Sequence, residues 1–311
     1  MPEALNFSDS EKKLRKVISN TSFDWNGEKF TTTQAYKPSK QGTHGECKTD
    51  CYIIATSESD GKKHEIKITY KKENSSFVEN KIRNVRAETM FGNEWSEIIK
   101  NQINQIKEKF RDEPVFYVDD AIPPNRTKKG SIKLGWRYEM EIKGNRTLCT
   151  PIEQDIAKYV WENKNGNQEF RNCVVNGKKI KNSGIPNFVL KKNAEKFDDV
   201  NDILPCLIPI EDIIKQGGVT VAFTAQNFRP FLDDQGGGNK RHLSVPIDWS
   251  VKNGEANAEL IFDKPLEFNS DIQEEKLKKV LDELDIPVGK KFDIDKFHKK
   301  LNPDVVVFSR P

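Results

Sequence analysis

Short apolar runs separated by polar turns dominate the first seventy residues. Cys51-Tyr52-Ile53-Ile54-Ala55 is apolar and partly β-branched, which predicts a buried strand. Ser57 to Lys63 is polar and contains Asp60-Gly61, a hairpin signal. The next run alternates: Glu65, Lys67 and Thr69 share one face, and Ile66, Ile68 and Tyr70 the other. One face of this hairpin therefore enters a core, while the other presents a carboxylate beside an ammonium. Asp50 stands at the mouth of the first strand.

Helical spacing appears on both sides of the hairpin. Leu14, Val17 and Ile18 give a stripe over 7–20, with Ser8 and Glu11 at capping-box spacing. Ser76 to Glu79 repeats that spacing ahead of Val78, Ile82 and Val85. Trp95, Ile98, Ile99, Ile103, Ile106 and Phe110 mark one face of a further helix, and Pro114–Val118 reads as a strand. Asn26-Gly27 and Asn176-Gly177 predict tight hairpin turns. Beyond them come a helix over 151–163, strands over 217–224, 243–249 and 259–262, and helices over 272–284 and 294–301.

Composition narrows the class. At 311 residues the chain is long enough for one large domain or two smaller ones, and 35% hydrophobic residues suffice for a sizeable core. The net charge of +3 is too mild to identify a nucleic-acid partner by itself. The charged first twenty residues do not read as a signal peptide, and no apolar run approaches membrane-spanning length. Five cysteines at irregular spacing predict a reduced, cytoplasmic protein. His44, Cys47 and Cys51 lack zinc-finger spacing and a fourth ligand.

Two carboxylates and a lysine are what metal-assisted phosphodiester cleavage requires. Hard oxygen ligands hold Mg²⁺, and a lysine can offset charge that grows on the phosphate. Asp50, a turn, then Glu65-Ile66-Lys67 resembles the PD-(D/E)xK motif of type II restriction endonucleases, with Thr49 where that motif usually has proline. The resemblance implies an α/β (α+β) fold in which helices flank a mixed central sheet. It places a nuclease core at 1–120 and a β-rich recognition and dimerisation region at 121–311. It also implies catalysis by Asp50, Glu65 and Lys67, with Mg²⁺ on Asp50 and Glu65. A homodimer would cut double-stranded DNA to leave 5′-phosphates. Nucleases of this family often add an acid from an N-terminal helix, a place Glu11 could fill, although Glu11 also fits a plain cap.

A second D…ExK spacing joins Asp119 and Asp120 to Glu141 and Lys143. Basic, acid-free runs hold the remaining expected DNA contacts: Lys48 and Lys71 beside the hairpin, Arg126, Lys128 and Lys129 in a run continuing to Lys133 and Arg137, and Lys240 and Arg241 after a glycine-rich loop. A third run, 171–194, is equally free of acids. The competing functions are a DNA-binding protein without catalysis and a repair or phage nuclease of the same fold.

Overall fold

Helix α1 (Phe7–Ile18) starts at Asn6, whose side chain accepts the backbone N–H of Asp9 at 3.0 Å. The expected Ser8–Glu11 capping box does not form, and Glu11 is free to act elsewhere. The computed structural model describes residues 6–40, 47–123, 125–143, 146–162, 168–232 and 241–310. It is a mixed α+β protein whose sheets are flanked by helices.

The chain divides into two compact units. The first comprises the described parts of Met1–Val78, Glu141–Gly144 and Pro151–Thr220; the second, those of Glu79–Met140, Asn145–Thr150 and Val221–Pro311. A boundary near 120 is therefore corrected. The strand Phe116–Tyr117 belongs to the second unit, where it pairs in parallel with Val307–Phe308.

In the first unit, β1 (Ser22–Trp25), β2 (Glu28–Thr32), β3 (Cys51–Ser57) and β4 (Lys63–Lys71) form an antiparallel meander. The turn between β1 and β2 uses Asn26 and Gly27, both at positive φ, as the dipeptide predicts. Phe188–Lys191 then pairs in parallel with β4, and Leu207–Pro209 closes the sheet. Alternation sorts the faces. Cys51, Ile53 and Ala55 of β3 join Ile66, Ile68 and Tyr70 of β4 in a core that also takes Leu14 and Ile18 of α1.

The second unit is built on a sheet ordered Glu255–Leu260, Val245–Lys252, Ile132–Ile142, Val219–Phe228. Gly135 lies at φ +141° in this sheet, and a Cβ there would meet the Val245 carbonyl oxygen at 2.4 Å, so only glycine fits. Phe110 packs edge-on to Trp136 and Phe223, at ring centroid distances of 5.0 and 5.1 Å.

Further expectations change. Ser76 does not cap a helix: its hydroxyl donates to Glu141 at 2.7 Å, Phe77–Glu79 is a strand, and the helix begins at Asn84. Cys47 and Cys173 form a disulfide, against the reading of five reduced cysteines. Such a bond is ordinary in oxidising compartments and rare in a reducing cytoplasm. Among the described residues no helix is long and apolar enough to cross a membrane.

Candidate functional site

Asp50 is held by its own backbone before its side chain does anything. Its N–H donates to the Ile68 carbonyl at 2.9 Å, and its carbonyl accepts from Arg15 at 2.8 Å. The carboxylate then turns onto the end of β4. Oδ2 accepts the Tyr70 N–H at 2.7 Å and the Thr69 hydroxyl at 3.3 Å. Among the described residues, Oδ1 has no hydrogen-bond partner. Burial pushes the Asp50 carboxyl up to about 6, and the negative charge of Glu11 adds to the rise; the Tyr70 N–H, Lys71 and Lys37 oppose it.

Glu11 reaches this place because of α1's periodicity. It lies three residues before Leu14 and seven before Ile18, on the stripe that packs against the sheet. Its side chain is only 13% exposed. Lys37 meets it at 2.7 Å and Arg15 at 3.7 Å. Two carboxylates thus sit close enough to feel each other in a poorly solvated setting, a condition that favours a cation.

A cavity of about 170 Å³ opens beside them, lined by Cys47, Lys48, Asp50, Thr69, Lys71, Val78 and Trp161. Lys71 and Lys48 bring positive charge to its wall. Lys48 also donates to the Val160 carbonyl. Trp161 is 2% exposed, and its indole N–H has no acceptor among the described residues. A buried donor left unmatched is costly, and this one is sealed from solvent behind the cavity wall. No sequence signal links Trp161 to Asp50, since it arrives more than a hundred residues later on the helix Gln154–Glu162.

The structure does not bring Glu65 and Lys67 to Asp50. In the β3–β4 register Cys51 faces Ile68 and Ile54 faces Glu65. Glu65 is therefore displaced along the hairpin by about 10 Å or more at roughly 3.3 Å per residue. There it accepts the Tyr52 hydroxyl at 2.6 Å and pairs with Lys67 at 3.7 Å, while Lys67 donates to the Asn182 carbonyl at 3.3 Å. Alternation correctly gives the shared face of Glu65 and Lys67 but not the point at which Asp50 meets β4. The residues at that point are Thr69 and Lys71.

The acids of the second spacing are each engaged locally. Asp119 accepts the Arg310 N–H at 2.8 Å, and Asp120 accepts that of Lys129 at 3.0 Å. Both belong to the second unit, whereas Glu141 and Lys143 belong to the first, where Glu141 takes the Ser76 hydroxyl and the Lys143 N–H bonds Gly218. The zinc reading also lapses. Cys47 is spent in the disulfide, and burial pushes the Cys51 thiol up to about 12; His44 lies outside the described residues. Among the described residues no group of three or more His, Cys, Asp or Glu side chains could hold a metal.

The expected DNA contacts scatter. Lys48 and Lys71 line the Asp50 pocket. Arg126, Lys128 and Lys129 are exposed on the second unit. Lys240 lies outside the described residues, and Arg241 is half-buried. Two members of the acid-free run around them are not surface contacts at all. Lys133 is 1% exposed and bonds Glu113 at 3.2 Å, with burial pulling its ammonium down to about 8. Arg137 is largely buried as well. Both occupy the central strand Ile132–Ile142, so a run without acids is not necessarily a surface patch.

Compared with protein-family models, with curated proteins and with solved structures, the chain gives no match.

Proposed function

We propose that the first unit carries a hydrolytic site for phosphodiesters, in which Asp50 and Glu11 supply the carboxylates and Lys71 the ammonium. One observation carries this reading: a buried, raised-pKa carboxylate with one open oxygen lies beside a second acid and faces a pocket with Lys71 on its wall. The donor set fits Mg²⁺, which takes few protein ligands and keeps several waters. Bound there, Mg²⁺ would polarise the phosphate and make a bound water more acidic.

The chain's own residues have separable tasks. The Tyr70 N–H and the Thr69 hydroxyl fix Asp50 through Oδ2 and leave Oδ1 for the ion. Lys71 offsets charge on the phosphate and orients the attacking water. Lys37 and Arg15 hold Glu11 in place, at 2.7 and 3.7 Å.

The resemblance to PD-(D/E)xK nucleases survives in altered form, as Asp50 followed by Thr69-Tyr70-Lys71, with Glu11 replacing the acid missing at Thr69. The order of helix, antiparallel hairpin and parallel strand supports the same reading, and with it a restriction-endonuclease-like fold. The corresponding substrate is double-stranded DNA, cut by a homodimer at a specific site. The test is digestion of a mapped plasmid with and without Mg²⁺, followed by end sequencing. Discrete Mg²⁺-dependent bands with 5′-phosphates are expected, and a smear would leave an unspecific nuclease. A DNA-binding protein without catalysis is the second reading, favoured by the ion pair that Lys37 already makes with Glu11. Duplex binding with no cleavage at any Mg²⁺ concentration would establish it.

A further inference from the structure

The disulfide Cys47–Cys173 lies against the Asp50 pocket, and its two ends are held very differently. Cys173 sits in a rigid setting. Its carbonyl accepts the Ile180 N–H and the Ser183 hydroxyl, both at 3.0 Å. The next residue, Val174, exchanges two backbone hydrogen bonds with Ser39, at 2.9 and 2.7 Å. A Cβ at Gly184 would meet Cys173 Sγ at 2.6 Å, so the packing there has no slack. The carbonyl oxygens of Glu169 and Phe170 stand 3.5 Å from that sulfur. A disulfide sulfur has no proton to give them, whereas a Cys173 thiol would find both acceptors in place.

Cys47 has no comparable hold. Among the described residues it makes no backbone hydrogen bond, and regular pairing begins only at Asp50, whose N–H meets the Ile68 carbonyl. Cys47 is 5% exposed and lines the cavity together with Lys48 and Asp50; Cys173 is 1% exposed and lies behind it. The sulfur open to attack is therefore that of Cys47, and the end free to move is the same one.

We infer that the Cys47–Cys173 bond is a reversible redox latch on the wall of this pocket. Closed, it fixes Cys47 and the placement of Lys48 beside it. Opened by a dithiol, it releases that stretch of wall while Cys173 stays seated. The effect on catalysis rests on the Asp50 reading, and the latch itself does not. The thiolate of the dithiol attacks Cys47 Sγ from the cavity, forming a mixed disulfide as the Cys47–Cys173 bond breaks. Cys173 leaves as a thiolate, takes up the proton released by the attacking thiol and donates it to the waiting carbonyls. The second sulfur of the dithiol then displaces Cys47, which is protonated in turn. Two electrons and two protons pass to the protein, and the dithiol ends as a disulfide.

The test compares the oxidised full chain with the same chain treated with dithiothreitol. Alkylation after denaturation is expected to find three thiols before treatment, at Cys51, Cys149 and Cys206, and five after it. Amide hydrogen exchange needs no activity. Reduction should speed exchange over 47–49 by about tenfold or more and leave 173–184 nearly unchanged, and oxidised glutathione should restore the slow exchange. Three thiols after treatment, unchanged exchange over 47–49 with five, or an equal rise over 173–184 would each overturn the latch.

Cleavage supplies the second arm. Reduction should raise the KM for DNA by about tenfold with little change in kcat, because Ile68, Arg15 and Tyr70 still pin Asp50. Cys47→Ser should show the raised KM in both conditions and ignore dithiothreitol, which separates the latch from the three other thiols. Cys173→Ser opens the same bond from its other end and serves if the first variant fails to fold. An unchanged KM with the bond open would overturn the control of the site. Absence of cleavage in either redox state, with the exchange response intact, would sink the nuclease reading and leave the latch standing.

Discussion

Two carboxylate–lysine pairs lie on one hairpin and have opposite characters. Near the start of β4, Glu65 is already engaged: Tyr52 and Lys67 hold it, and Lys67 is tied to Asn182. At the open end, Asp50 is buried, kept beside a second acid and left with one oxygen unclaimed. The engaged pair spells the motif in the sequence, while the other has the chemical poise. A satisfied ion pair stabilises its surroundings modestly, whereas an acid held against its preferred charge state is available for work.

Cleavage assays break this comparison most sharply. Asp50→Ala should cost about 10³-fold or more in kcat/KM, and Glu65→Ala only a few-fold, on the scale of removing a group that stabilises transition-state charge. The reverse order would return the site to Glu65. The lysines come next. Lys71→Met should lower kcat by roughly 10²-fold, with Lys67→Met near wild type. Glu11→Gln should have a smaller effect, raising the Mg²⁺ needed for half-maximal rate by about 10–100-fold, as for groups that tune a metal site. An unchanged Mg²⁺ titration would remove Glu11 from the site.

The smallest effect is the most diagnostic. The folded-state carboxyl of Asp50 stands near 6, above its unfolded value of 3.8. A raised acid disfavours folding wherever both states are ionised, so the penalty is full at neutral pH and is relieved as pH falls from about 6 towards 4. Asp50→Asn should therefore stabilise the protein by about 2–3 kcal/mol at pH 7, at 1.36 kcal/mol per unit, while abolishing cleavage. Wild-type kcat/KM should fall roughly tenfold per unit below about pH 6, with the midpoint moving lower as Mg²⁺ rises. A destabilised Asp50→Asn variant would make Asp50 a structural anchor.

Periodicity and turn chemistry made much of the first unit legible. The stripe Leu14, Val17, Ile18, the Asn26-Gly27 turn and the alternation of β3 and β4 are local properties, and all appear in the fold. Asp50 was legible as the residue at the strand's mouth. Its partners were not, because the meeting point of two strand ends is set by tertiary hydrogen bonds such as Tyr70 N–H to Asp50. Trp161 and Cys173 were invisible for a related reason, as only the folded chain brings them to Cys47 and Lys48. Ser76 shows local chemistry losing outright: the hydroxyl that could cap a helix is taken by Glu141, distant in sequence.

The parallel strand Phe188–Lys191 beside β4 carries a consequence for biosynthesis. Asn187, which begins that neighbour, comes 120 residues after its partner Lys67. At about 5–20 residues per second, a ribosome needs roughly 6–24 s to deliver it. During that wait β4 has an uncovered edge, and a nascent chain stopped near residue 120 could not complete the sheet. The sheet that carries Asp50 would thus stay open at this edge until most of the polypeptide had emerged.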